Sequence, residues 1–129
     1  MVLKLINLDT GQVIAWQIHE ANSFFTRLKG LMFTKDLPLD CGLRIRPCQQ
    51  IHTYFMQYDI DVLHLDSDQQ VVAIEENLTP GKLGMKHYAT MEVIELPAGL
   101  IAKTGTKVGH KVKLTENIIT ENEKERITC

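Results

Sequence analysis

"IHTYFMQYDIDVLHLDSDQQVVAIEENL", residues 51–78, decides the fold. It is rich in Ile, Val, Leu and Tyr, the branched and aromatic residue types that favour strands. The stretch reads as three strands near residues 51–56, 60–65 and 70–77. "DSDQ" joins the last two as a hairpin turn, without the glycine that the tightest two-residue turns prefer.

Working outward, residues 2–8 and 12–18 are Val-, Ile- and Leu-rich and flank "DTG", where Gly11 can take the positive φ of a hairpin loop. "ANSFFTRLKGLMF" places Phe24 or Phe25, Leu28, Leu31 and Met32 on one stripe behind an Asn22 or Ser23 N-cap, which predicts a helix of two to three turns. "KDLPLDCG" is turn chemistry, and "GLRIRPC" alternates Leu43 and Ile45 against Arg44 and Arg46 until Pro47 ends or bends the strand. On the other side, "NLTPGKLGMKHYAT" reads as a long connection and "TMEVIEL" as a strand. "PAGLIAKTG" reads as a short helix opening at Pro97, and "KVGHKVKL" as a last strand. In the tail, Thr120 and Glu123 form a capping-box pattern for one more short helix, although a charged terminal segment is equally suited to disorder. Strands outnumber helices and hairpins dominate. The expectation is a mainly β, compact antiparallel sandwich or barrel-like domain with two short α-helices. It forms a single domain over residues 1–115, followed by a charged tail over 116–129.

A chain of 129 residues suits one domain with a real core, and 44% hydrophobic against 23% charged residues is ordinary globular composition. The net charge of −2 argues against nucleic acid and anionic membranes as partners. Cys41, Cys48 and Cys129 are odd in number and lack a CxxC spacing, which points to reduced thiols. The N-terminal residues lack the long apolar core of a signal peptide, so the expected location is cytoplasmic.

Chemistry concentrates around residues 44–66. A straight strand separates Cys48 from His52 by roughly 13 Å, too far for a nucleophile and its base, unless the chain bends after Pro47. His52 alone can hold or move a proton near neutral pH, or can be a histidine bonded to backbone or Asp61. His52, His64, His87 and His110, with Asp59 and Asp61, show no metal-ligand spacing, so no metal and no cofactor is expected. Arg44 and Arg46 share a side and offer charge-assisted bonds to a carboxylate or phosphate; the alternative is a solvated edge strand. Asp61 alternates with Leu63 and Leu65, and an acid on an apolar face needs a partner, for which these arginines are candidates.

Several blocks occur together: "GLMF" with Leu37 and Pro38, "GLRIRPC", "IHT", Met56, "IDVLHLD", "VVAI", "VIELPAG" and "VG". In that order they resemble the DUF192 (UPF0127) family, over about residues 25–115. The resemblance implies a mainly β fold with short helices and no assigned reaction. Asp59, Phe55, His110 and Thr34 depart from the family pattern, which commonly has Pro, Gly, Asp and Arg at these places.

The expected function is a binding or accessory module for a small anionic molecule or a peptide, held by Arg44, Arg46, His52, Tyr54, Met56 and Asp61. One alternative is a hydrolase or transferase using His52 as acid or base, with or without Cys48. The other is a structural oligomerisation domain.

Overall fold

The computed structural model describes residues 2–21, 30–32 and 34–117. Seven strands form one sheet: β1 (Leu3–Asn7), β2 (Val13–Ala21), β3 (Cys41–Ile45), β4 (Ile60–Leu65), β5 (Val71–Leu78), β6 (Glu92–Pro97) and β7 (Val112–Glu116). Among these residues one helix, α1 (Leu100–Lys103), lies between β6 and β7. The order across the sheet is β5-β4-β6-β3-β2-β1-β7. Every pairing is antiparallel except β2 with β3, which run parallel with Gln17 opposite Cys41 and Ala21 opposite Ile45. The sheet curls into a half-barrel. Its two edges meet at one end, where Gln70 bridges Lys111 and the Val71 N–H donates to His110 O at 2.9 Å.

Curling gives the sheet two unlike apolar faces. The inner one gathers Leu5, Ile18, Leu63, Val71, Ile94 and Val112 from strands all around the curl, and α1 adds Leu100 and Ile101. At roughly 1.5–3 kcal/mol per fully buried aliphatic side chain, this cluster is the main source of stability. The outer one is local to the β4-β6-β3-β2 half, where Ile45, Ile60, Val62 and Val93 are covered by Leu31, Ile51 and Met56 from the loops. β4 and β6 are therefore buried on both faces along their whole length.

The mainly β, barrel-like reading of the sequence holds, with corrections in detail. Residues 51–56 are not a strand: only His52 makes a β-bridge, to Leu83, and the chain turns through Phe55 at φ +64°. β2 runs on to Ala21, and β3 ends at Ile45 ahead of a cis Arg46–Pro47 peptide. The hairpin without glycine is closed by Asp66, whose Oδ1 accepts from the N–H groups of Asp68 and Gln70, while Gln69 takes φ +60°. Cys41 is disulfide-bonded, which corrects the expectation of reduced thiols; an odd count still leaves room for one pair. The helix expected over 21–33 falls mostly outside the described residues, of which 30–32 form turns, and the tail helix falls outside them entirely. Among the described residues, no helix is long and apolar enough to cross a membrane.

Candidate functional site

Because β4 and β6 lack a solvent face, each ionisable side chain they carry must find a partner or lose its charge. Four such residues are buried: Asp61, His64, Glu92 and Glu95. Asp61 Oδ1 accepts from the Asn77 N–H at 2.9 Å, and Oδ2 accepts from Gly99 at 3.0 Å and Ile101 at 3.1 Å. It anchors the "PAG" turn and the start of α1. Its partners are backbone groups, not the arginines suggested by the sequence.

Arg44 lies on the inner face between two acids. It donates to Glu92 at 2.9 and 3.2 Å and to Glu20 at 2.9 Å, so its guanidinium is satisfied inside the fold. His64 bridges Glu75 Oε2 at 2.8 Å and Thr90 Oγ1 at 3.1 Å, and Glu75 Oε1 in turn accepts from the Met85 N–H. This network fastens the loop before β6 to the sheet. Glu95 is the exception. It is 2% exposed, and among the described residues its Oε2 has no hydrogen-bond partner. Burial pushes its carboxyl from 4.5 up to about 8, so it is protonated at neutral pH. Sequence reasoning missed Glu95, although "EVIEL" carried the same signal as Asp61: an acid in step with Val93 on an apolar face.

The residues singled out from sequence divide into two groups. Arg44, Met56 and Asp61 are internal, the first and last with full sets of protein partners, and Met56 in the outer cluster. Arg46, His52 and Tyr54 lie on the loop after β3, where His52 Nδ1 accepts from the Tyr54 N–H at 3.2 Å and the two rings stack at 4.9 Å. Cys48 is half-buried and its thiol donates to Gln50 O at 3.3 Å.

That loop is hydrogen-bonded along its length to the one before β6. The Thr53 N–H donates to Lys82 O, Gly84 to Ile51 O, Gly81 to Thr53 O and Cys48 to Met91 O, each at 2.8 to 3.0 Å. Together they display large apolar side chains, with Leu83 62%, Phe55 67% and Tyr88 90% exposed, beside Tyr54, Met85 and Met91. Residues 46–58 and 79–91 carry Arg46, Lys82 and Lys86 and no acid, in a chain whose net charge is −2. The other candidate ligands have local structural partners. His87 Nδ1 accepts from the Ala89 N–H, and His110 Nδ1 accepts from the Lys107 N–H and faces Asn7 Nδ2. Among the described residues, no three His, Cys, Asp or Glu side chains group to hold a metal ion.

Residues 5–114 match the profile of DUF192, described as "Uncharacterized ACR, COG1430". A UPF0127 protein of Pyrococcus horikoshii is 33% identical over 111 residues, covering 82% of this chain and 96% of that protein. One from Thermococcus sibiricus is 30% identical over 116 residues, covering 84% and 72%. Two crystal structures share the fold. A protein of unknown function from Novosphingobium aromaticivorans has a TM-score of 0.75 at 23% identity, over 88% of this chain and 84% of that one. A putative transcription regulator from Sinorhizobium meliloti has a TM-score of 0.75 at 21% identity, over 87% and 91%. With the family's blocks on the central strands and on the two joined loops, the chain belongs to the DUF192 (UPF0127) family.

Proposed function

We propose that the domain is a binding module that docks an acidic, apolar peptide segment of a partner protein on the platform made by residues 46–58 and 79–91. The observation that carries this is the pairing of exposed aromatic and Met side chains with Arg46, Lys82 and Lys86 on two mutually bonded loops, whose one acid, Asp59, lies at the end of the first, next to β4. Aromatic residues, Met and Arg are the types enriched at protein interfaces, and Met adapts its shape to varied partners. Arg46, His52 and Tyr54 are then contact residues, whereas Arg44, Met56 and Asp61 hold the scaffold beneath them. A second copy of the chain is a poorer occupant, because a two-fold contact sets this basic surface against itself. Nucleic acid is also poorer. Three cations neutralise few phosphates, and Leu83, Met85 and Met91 do not stack on bases.

Fluorescence anisotropy tests the reading with a labelled twelve-residue peptide of Glu, Asp, Leu and Phe, its Lys-for-acid counterpart and a single-stranded oligonucleotide. The acidic peptide is expected to bind alone, and Lys82→Glu with Leu83→Glu to weaken it by about tenfold or more. Equal binding of the basic peptide, or preference for the oligonucleotide, overturns it. The cytoplasmic location expected from the sequence is kept as part of the proposal although the disulfide at Cys41 weighs against it, and counting free thiols in cell extracts decides, since a reducing compartment opens that bond and an oxidising one keeps it.

A further inference from the structure

The curl of the sheet leaves a seam. β5 and β7 are the two ends of the strand order, so β5 pairs on one side only, with β4. At its start the free side is tied across the seam: the Val71 N–H donates to His110 O at 2.9 Å, and Val71 O accepts from the Gly109 N–H at 2.8 Å. Past Val71, among the described residues, no hydrogen bond from the β5 backbone reaches anything but β4. Backbone groups that alternate away from β4 between Val72 and Glu76 therefore form an unpaired strand edge roughly 13 Å long. A cavity of about 430 Å³ lies against the inner side of this edge. Its walls are Ile74 and Glu76 of β5, Ile101 and Ala102 of α1, and Lys107 and Val108 from the loop before β7. Ile74 and Ile101 belong to the inner apolar cluster, so the cavity floor continues the core. Among the described residues, neither Glu76 nor Lys107 makes an ion pair or a side-chain hydrogen bond.

We propose that an extended segment of a partner polypeptide enters this seam and adds a strand against β5, with alternate apolar side chains in the cavity and a Lys or Arg beside Glu76. Strand addition takes its affinity from main-chain hydrogen bonds and its selectivity from pockets for alternate side chains, and the seam offers both. Glu76 makes the edge selective. An acid facing the cavity penalises a purely apolar strand, which would leave it desolvated and unpaired, and favours one that brings a cation. Lys107, on the opposite wall, has N–H donors for main-chain carbonyls on the far edge of the added segment. A second copy of the chain is a poorer occupant. Its β5 arrives with its own β4 attached, and that strand would fall where the loop before β7 already stands. The site lies apart from the platform and does not depend on it.

The test titrates a seven-residue peptide of alternating Thr and Val, with Lys in place of one Val, into the full-length protein, following amide signals of residues 71–78 and 101–108 by NMR. Saturable shifts are expected below about 1 mM peptide. Methylating the backbone nitrogens of one alternate set of residues should abolish binding, and methylating the other set should leave it within about twofold, because only one set faces β5. Glu76→Lys should reverse the preference between this peptide and its Glu-for-Lys counterpart, a reversal that no folding defect produces. Ala102→Phe fills the cavity from an exposed helical position and should weaken binding by about tenfold or more, with cooperative urea unfolding retained. The proposal is overturned if no signal shifts at about 1 mM, if both methylated sets weaken binding equally, or if either variant binds as the unaltered protein does. It is also overturned if the protein alone forms a dimer that Ala102→Phe dissolves, which would put a second copy in the seam.

Discussion

Replacing Glu95 by Gln tests the account of the outer face through stability alone. In the unfolded chain the carboxyl ionises at 4.5, and in the fold at about 8. Between these values the folded state holds a proton that the unfolded state has released, so raising the pH weakens folding. Below 4.5 both states are protonated and the effect vanishes; above about 8 both are ionised and the penalty stays constant. At ~1.4 kcal/mol per pH interval of one, burying this acid costs roughly 3 kcal/mol at pH 7 and about 5 kcal/mol above pH 8. That is a large part of the 5–15 kcal/mol typical of a domain. Gln does not ionise, so the stability difference between Glu95→Gln and the unaltered protein should grow in favour of the variant from pH 5 to pH 8 and then level. Urea unfolding of both proteins at pH 5, 6, 7, 8 and 9 reads this slope directly, and any constant offset from the altered shape cancels. Two parallel stability curves across pH 5 to 8 would refute a buried, unpartnered carboxyl at this position.

Removing Arg44 as Arg44→Ala strands Glu92 inside the sheet, and should lower stability by about 3–5 kcal/mol in thermal or urea unfolding. Asp61→Ala deprives three backbone N–H groups of their acceptor, and should destabilise by roughly 2–4 kcal/mol, with hydrogen exchange accelerating first at Gly99 and Ile101. Gly42→Ala places a Cβ 2.7 Å from Ile18 Cδ1 and 2.9 Å from Glu95 O; a loss of about 1–3 kcal/mol by urea titration is expected, and an unchanged midpoint would contradict the packing described.

The central strands were legible because β4, β5 and β6 are rich in Ile, Val and Leu and bounded by turn residues, and the first hairpin because Gly11 marks its turn with φ +76°. Residues 51–56 misled because Ile, Tyr and Phe favour strands. The family's frequent glycine at position 55 was the signal of a left-handed position, and here Phe55 occupies it at φ +64°. Asp61 was recognisable as an acid in need of a partner, but not the nature of that partner, since backbone donors from a distant turn leave no mark in side-chain spacing. Arg44 reads from sequence as a surface cation. It is internal because the parallel β2–β3 pairing, which has no hairpin to announce it, brings Glu20 alongside, while β6 brings Glu92. Glu95 escaped for a different reason: its lack of a partner is a property of three dimensions.

The pairing of β1 with β7 sets Leu3 opposite Glu116, at nearly opposite ends of the described chain. A ribosome emitting this polypeptide therefore exposes the first hairpin long before the strand that shields its outer edge has been made. Closing so wide a loop is slow. Until it happens, the curl cannot fasten at Gln70 and Lys111, and the apolar inner surface stays open to chaperones and to neighbouring nascent chains.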